Sequence, residues 1–122
     1  MDSERELLKG NTPTLVLAVL ADAPLHGYAI AREIERRSQN ALKFKEGTLY
    51  PALHTLEREG LLTGEWRQEP GGRTRKVYAI TPAGRAVLEQ RTRAWHAFAS
   101  AIGRVIGEKE EVVGTPAAQG IG

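Results

Sequence analysis

Four cationic side chains crowd one short stretch of the chain, Arg67, Arg73, Arg75 and Lys76, with Glu69 the single acid among them. The glycine-rich run Glu69-Pro70-Gly71-Gly72-Arg73 lies inside that stretch. Guanidinium groups on a protruding turn suit phosphate oxygens, and they suit insertion into a narrow groove of negative potential. The chemistry predicted here is the binding of a polyanion. A second set precedes it: Lys43, Lys45, Thr48, Tyr50, Pro51 and His54 surround the start of a segment whose leucines, Leu49, Leu53 and Leu56, form one helical stripe. With that stripe turned to a core, Tyr50, Pro51 and His54 occupy other faces. If the helix enters a major groove, its first turns come nearest to the bases. Thr48, Tyr50, Pro51 and His54 are then the candidate base contacts, and Lys43 and Lys45 the candidate phosphate contacts.

Catalytic constellations are absent from this reading. His26, His54 and His96 stand alone, without metal-ligand spacing, and the chain has no cysteine. There is no Ser/His/Asp pattern and no phosphate-cradling motif; Gly71-Gly72 belongs to a hairpin turn and not to a strand-to-helix junction. The chain is expected to be no enzyme and to need neither cofactor nor metal.

The elements that must position these residues can be read from periodicity. Residues 1–11 are polar and charged around Leu7 and Leu8, and the pattern fits either a short helix or an N-terminal arm. Thr12-Pro13 carries the cap-then-proline signal of a helix start, and the apolar TLVLAVLA that follows fits a short buried helix. A second helix spans Gly27 to Ser38, with Ile30, Ala31 and Ile34 inward. Thr48 is expected to cap the third, which ends near Gly60, with Pro51 in its first turn, where N–H groups have no intrahelical partner. After Gly60 the period becomes two: Leu62 and Trp66, then Tyr78 and Ile80, predict a hairpin from 61 to 81. Thr81-Pro82 repeats the cap signal and opens a long fourth helix. The expected fold is mainly α with a β-hairpin wing: a winged helix-turn-helix over 1–81, a dimerisation helix over 82–107 and a flexible tail over 108–122.

The fourth helix carries a heptad. Leu88, Trp95 and Ile102 are seven apart, and Arg91, Phe98 and Val105 fill the alternate seam positions. Such a seam must be covered, and a homodimer is the expected cover because the winged unit has a core of its own. Arg91 interrupts the seam with a charge that can fix register or pair with a carboxylate. Two tryptophans brought near a dimer axis can leave a gap that fits an aromatic ring, so Trp95 and Phe98 are candidate effector contacts. The alternative is that Trp95 simply fills the dimer core against Phe98 and Ala94, as seam aromatics usually do.

The net charge of +2 says less than its distribution, basic in the middle and acidic from Glu108 on. The longest apolar run, Leu15–Ala21, has seven residues, against about 20 for a membrane span. The N-terminus lacks a basic, then apolar, leader, and a cytoplasmic location is expected.

In order, HGYAIAREIE, EGTLYPALHTLEREGLL and W-x3-PGGRTRKVYAITPAGRAVL resemble the PadR family of bacterial transcriptional regulators, over about residues 7–106. Val77 departs from the aromatic residue common at that position. The resemblance implies a homodimer that represses transcription from an inverted repeat of double-stranded DNA, with the last helix swapped onto the partner. It also implies that some members are released by small aromatic molecules, and Trp95 matches a tryptophan that lines a cavity at the dimer centre in one group. The competing reading is a winged-helix module for protein–protein contact. The basic wing and the exposed Tyr50/His54 face favour DNA.

Overall fold

The computed structural model describes residues 2–107, and the tail expected over 108–122 lies outside them. Seven elements follow one another: α1 (Asp2–Leu20), β1 (Leu25–His26), α2 (Gly27–Arg37), α3 (Glu46–Arg58), β2 (Leu62–Gln68), β3 (Thr74–Ile80) and α4 (Pro82–Ile106). The chain divides into two compact units between Leu88 and Glu89.

The first unit is three helices and a small sheet around one core. Leu17 and Leu20 of α1, Ile30 and Ile34 of α2 and Leu49, Leu53 and Leu56 of α3 are buried together, with Leu62 and Tyr78 from the strands. The leucine stripe of α3 faces inward as its spacing requires. The sheet has three strands in the order β1-β3-β2, all antiparallel neighbours. β2 and β3 form the wing, from Leu62 opposite Ile80 out to Gln68 opposite Thr74. Gly71 and Gly72 turn the tip with φ of 92° and 88°, a left-handed region that residues with a Cβ rarely enter. Two residues suffice for β1: Leu25 pairs with Tyr78 and His26 with Val77. A strand that short has no alternation to read, and sequence patterning misses it.

Two helix starts differ from expectation. α1 does not begin at Thr12-Pro13 but runs from Asp2 through Pro13. The buried Thr12 hydroxyl donates to the Leu8 carbonyl at 2.8 Å instead of capping a new helix. α3 begins at Glu46, with Lys45 in the N-cap position making no side-chain cap bond, so Thr48 is not its cap. Pro51 therefore lies beyond the first turn. It leaves the carbonyl of Gly47 without an intrahelical donor, and that residue is exposed, where water can serve it.

The second cap signal holds. The Thr81 hydroxyl accepts from the Gly84 N–H at 2.9 Å and donates to the Gly60 carbonyl at 2.8 Å. A Cβ on Gly84 would lie 2.2 Å from the Leu61 carbonyl oxygen, so the first turn of α4 sits directly on the start of β2. Val87 and Leu88 pack against the core of this unit. Leu88, expected in the dimer seam, is thus half-buried within the winged unit.

Among the described residues, the second unit, taken alone, is the rest of α4 and the glycine that ends it, Gly107 at φ 90°. Trp95, Phe98, Ile102 and Val105 follow at spacings of three, four and three and are all exposed, Phe98 at 65% and Val105 at 84%. Arg91 is half-buried, and the Trp95 and His96 rings meet edge-on with centroids 5.4 Å apart.

Candidate nucleic-acid interface

α2 and α3 approach closely because Gly27 has no side chain. A Cβ there would lie 2.6 Å from the Tyr50 hydroxyl and 2.7 Å from its ring. The Tyr50 ring rests on the first residue of α2 with one side still open, at 46% exposure. Tyr28 is more exposed, and its hydroxyl accepts from the Arg32 guanidinium at 3.2 Å.

The wing closes the other side. Tyr50, Tyr28, Trp66 and Tyr78 line a groove of about 700 Å³ together with His26, Arg73, Arg75 and Lys76. Of the residues singled out in the sequence, the structure gathers Tyr50, Arg73, Arg75 and Lys76 around this groove. Lys43, Lys45, Pro51, His54 and Arg67 are exposed but do not line it, and Thr48 is half-buried.

His26, Tyr28 and Trp66 were not among the expected site residues. Tyr28 had a signal, since α2 turns its isoleucines inward and so leaves the preceding tyrosine outside. His26 had none, because its partner is distant in sequence. The Ala29 N–H donates to His26 Nδ1 at 3.4 Å, so this side chain caps α2, and Arg75 Nη1 lies 2.6 Å from Nε2.

The wing cations differ in their surroundings. Arg67 pairs with Glu65 at 3.2 Å at the surface. Arg75 lies 3.4 Å from Glu69 in addition to His26. Lys76 donates to Glu57 of α3 at 2.9 Å, and that carboxylate raises its pKa. Burial pushes the neighbouring Tyr78 phenol up in turn. Arg73, at the exposed tip, has no ion-pair partner among the described residues. Also among them, no three His, Asp or Glu side chains converge as a metal site, and no helix is long and apolar enough to cross a membrane.

A helix-turn-helix whose third helix and basic wing share one open groove defines the class: a winged-helix, DNA-binding regulator of transcription. The family is equally definite. Residues 16–90 match the transcriptional regulator PadR-like family, and the chain belongs to it. It is 37% identical over 110 residues to the transcriptional regulator Rv3488 of Mycobacterium tuberculosis, covering 90% of this chain and 96% of that one. A PadR family regulator from Eggerthella lenta superposes with a TM-score of 0.75 at 31% identity, over 86% of this chain and 89% of that one. Bacillus subtilis PadR, solved in complex with operator DNA, shares the fold with a TM-score of 0.60 at 24% identity, over 66% of this chain and 45% of that one.

Proposed function

We propose that the chain is a cytoplasmic, homodimeric repressor that binds an inverted repeat of double-stranded DNA through α3 and the wing. The observation that carries this is the shared groove: Tyr50 from α3 and Arg73 and Arg75 from the wing line one open surface. In this reading Arg67, Arg73 and Arg75, with Lys43 and Lys45, meet phosphates, while Thr48, Tyr50, Pro51 and His54 work near base edges. Operator DNA bound to Bacillus subtilis PadR supports the same use of the fold.

Residues 1–81 are the DNA-binding part in this assignment, 82–107 the dimerisation helix. The exposed run Trp95, Phe98, Ile102 and Val105 supports a second copy as its cover, because a contiguous apolar face of this kind favours association over contact with water. Trp95 and Phe98 then contact a planar aromatic effector whose binding releases the DNA. Leu88 serves that interface less, being already packed on its own core.

Gel shifts and fluorescence anisotropy test the DNA reading. Arg73→Ala and Arg75→Ala weaken binding to every duplex, and Arg73→Ala flattens its salt dependence, whereas Tyr50→Ala and His54→Ala change preference among sequences. Equal binding by all four variants and the wild type would contradict the assignment.

A further inference from the structure

The side chain of Lys76 takes an unusual route. It starts on β3 opposite Trp66, crosses over β2 at Gly64 and ends on Glu57 of α3, 2.9 Å from Oε1. The passage exists because residue 64 has no side chain. A Cβ there would lie 2.3 Å from Lys76 Cε and 3.0 Å from Glu57 Oε2. Two rings flank the ammonium, with centroids 5.4 Å away for Tyr78 and 6.0 Å away for Trp66. Both partners are only about a quarter to a third exposed, 27% for Lys76 and 30% for Glu57.

We propose that Glu57 and Lys76 form a lock, admitted by Gly64, that holds the wing at a set angle to the recognition helix, and that Lys76 is therefore a positioning residue and not a phosphate ligand. This rests on the DNA-binding reading and corrects its sequence-based list of cations. The geometry separates two kinds of wing charge. Arg73 stands at the tip without a carboxylate among the described residues, so a phosphate is its natural partner. Lys76 already has an anion within hydrogen-bond distance, two aromatic rings beside it and a stem confined by the strand it crosses. A phosphate would have to displace Glu57 to reach it. The pair is neutral as a unit, and a neutral unit releases no counterions from DNA. Each cation that does neutralise a phosphate contributes about 0.9 to the slope of log affinity against log salt.

That slope is the readout a purely structural role does not move. The full-length protein is titrated into a fluorescein-labelled random-sequence duplex from 50 to 200 mM KCl, roughly the range over which phosphate contacts change affinity most visibly. Arg73→Ala is the reference and lowers the slope by about 0.9. Lys76→Met keeps the stem beside the rings and removes the charge; it weakens binding several-fold at every salt concentration and leaves the slope unchanged. Glu57→Gln releases the ammonium and steepens the slope by up to about 0.9. Gly64→Ala presses on the flexible side chains of Lys76 and Glu57 and on no backbone atom, so the chain still folds. It weakens binding as Lys76→Met does, and the double variant Gly64→Ala with Lys76→Met is no weaker than either single one. A slope loss for Lys76→Met equal to that for Arg73→Ala overturns the proposal, as does an unchanged slope for Glu57→Gln or additive losses in the double variant. A wild type that ignores duplex DNA overturns the DNA-binding reading itself, and the lock's role with it.

Discussion

Replacing Gly27 by alanine separates stability from recognition. The new methyl would lie 2.6 to 2.9 Å from three atoms of the Tyr50 side chain, closer than real contacts allow. Tyr50 is half exposed, so its ring can swing outward and relieve the clash. The fold then loses part of one aromatic contact, a cost of about 1 kcal/mol at the low end for overpacking. Against this stands about 0.4–1 kcal/mol from the smaller entropy of the unfolded chain at a position without positive φ. The two nearly cancel, and the melting temperature moves by only a few degrees. Recognition does not cancel. If Tyr50 works at a base edge, its displacement forfeits roughly 1–3 kcal/mol of discrimination, which is about 5- to 150-fold. The assay compares anisotropy on an operator recovered by selection from genomic fragments with a scrambled duplex, alongside thermal melts. A double-mutant cycle supplies the control: in a Tyr50→Ala background, Gly27→Ala has no further effect on discrimination. Unchanged discrimination by Gly27→Ala alone, or an equal loss on top of Tyr50→Ala, would refute the reasoning.

Other perturbations have equally definite outcomes. Gly84→Ala meets backbone, the Leu61 carbonyl oxygen, and cannot be relieved by a side chain; it should destabilise the winged unit by about 1–3 kcal/mol, lowering its melting temperature by at least about 4 °C, and a melt unchanged to within a degree would show that the first turn of α4 can shift freely. Phe98→Asp with Ile102→Asp places charge in the proposed dimer seam, and light scattering should then report monomers; a folded dimer of unchanged mass would exclude that seam. Glu33 accepts from Arg36 and Arg37, which hold its carboxyl down at about 2 from an ordinary 4.5, so its contribution is complete above pH 4.5 and is lost as pH falls towards 2. Urea midpoints should show the wild type losing its advantage over Glu33→Gln across that window, a small effect because the ion pairs are exposed, and parallel pH profiles would contradict the linkage. Planar dyes and phenolic acids titrated into a Trp66→Phe variant should quench Trp95 saturably and release operator DNA; if no compound does either and Trp95→Ala unfolds the dimer, Trp95 only packs.

Much of this protein is legible in local pattern. The leucines of α3 repeat at helical spacing and do face the core, the period of two after Gly60 does form the wing, and the Thr81 hydroxyl does cap α4. These features depend on neighbours within a turn or a hairpin, and their physics is contained in a few residues. The basic turn and the heptad from Trp95 to Val105 are local in the same sense, and each announces a surface without naming what meets it. The same cap signal fails at Thr12-Pro13, because the chain before Thr12 goes on being helical while the chain before Thr81 is a strand that has to end. Only tertiary structure could supply the rest. The short strand β1 exists because β3 offers it an edge. Tyr50 reaches its position because Gly27, on another helix, leaves room for the ring. Above all, the wing cations look equivalent in sequence and are not: Arg75 meets His26 across 49 positions and Lys76 meets Glu57 across 19. Charge can be counted from a sequence, but whether a charge is already neutralised depends on which distant carboxylate the fold brings within about 3 Å, and no local period encodes that distance.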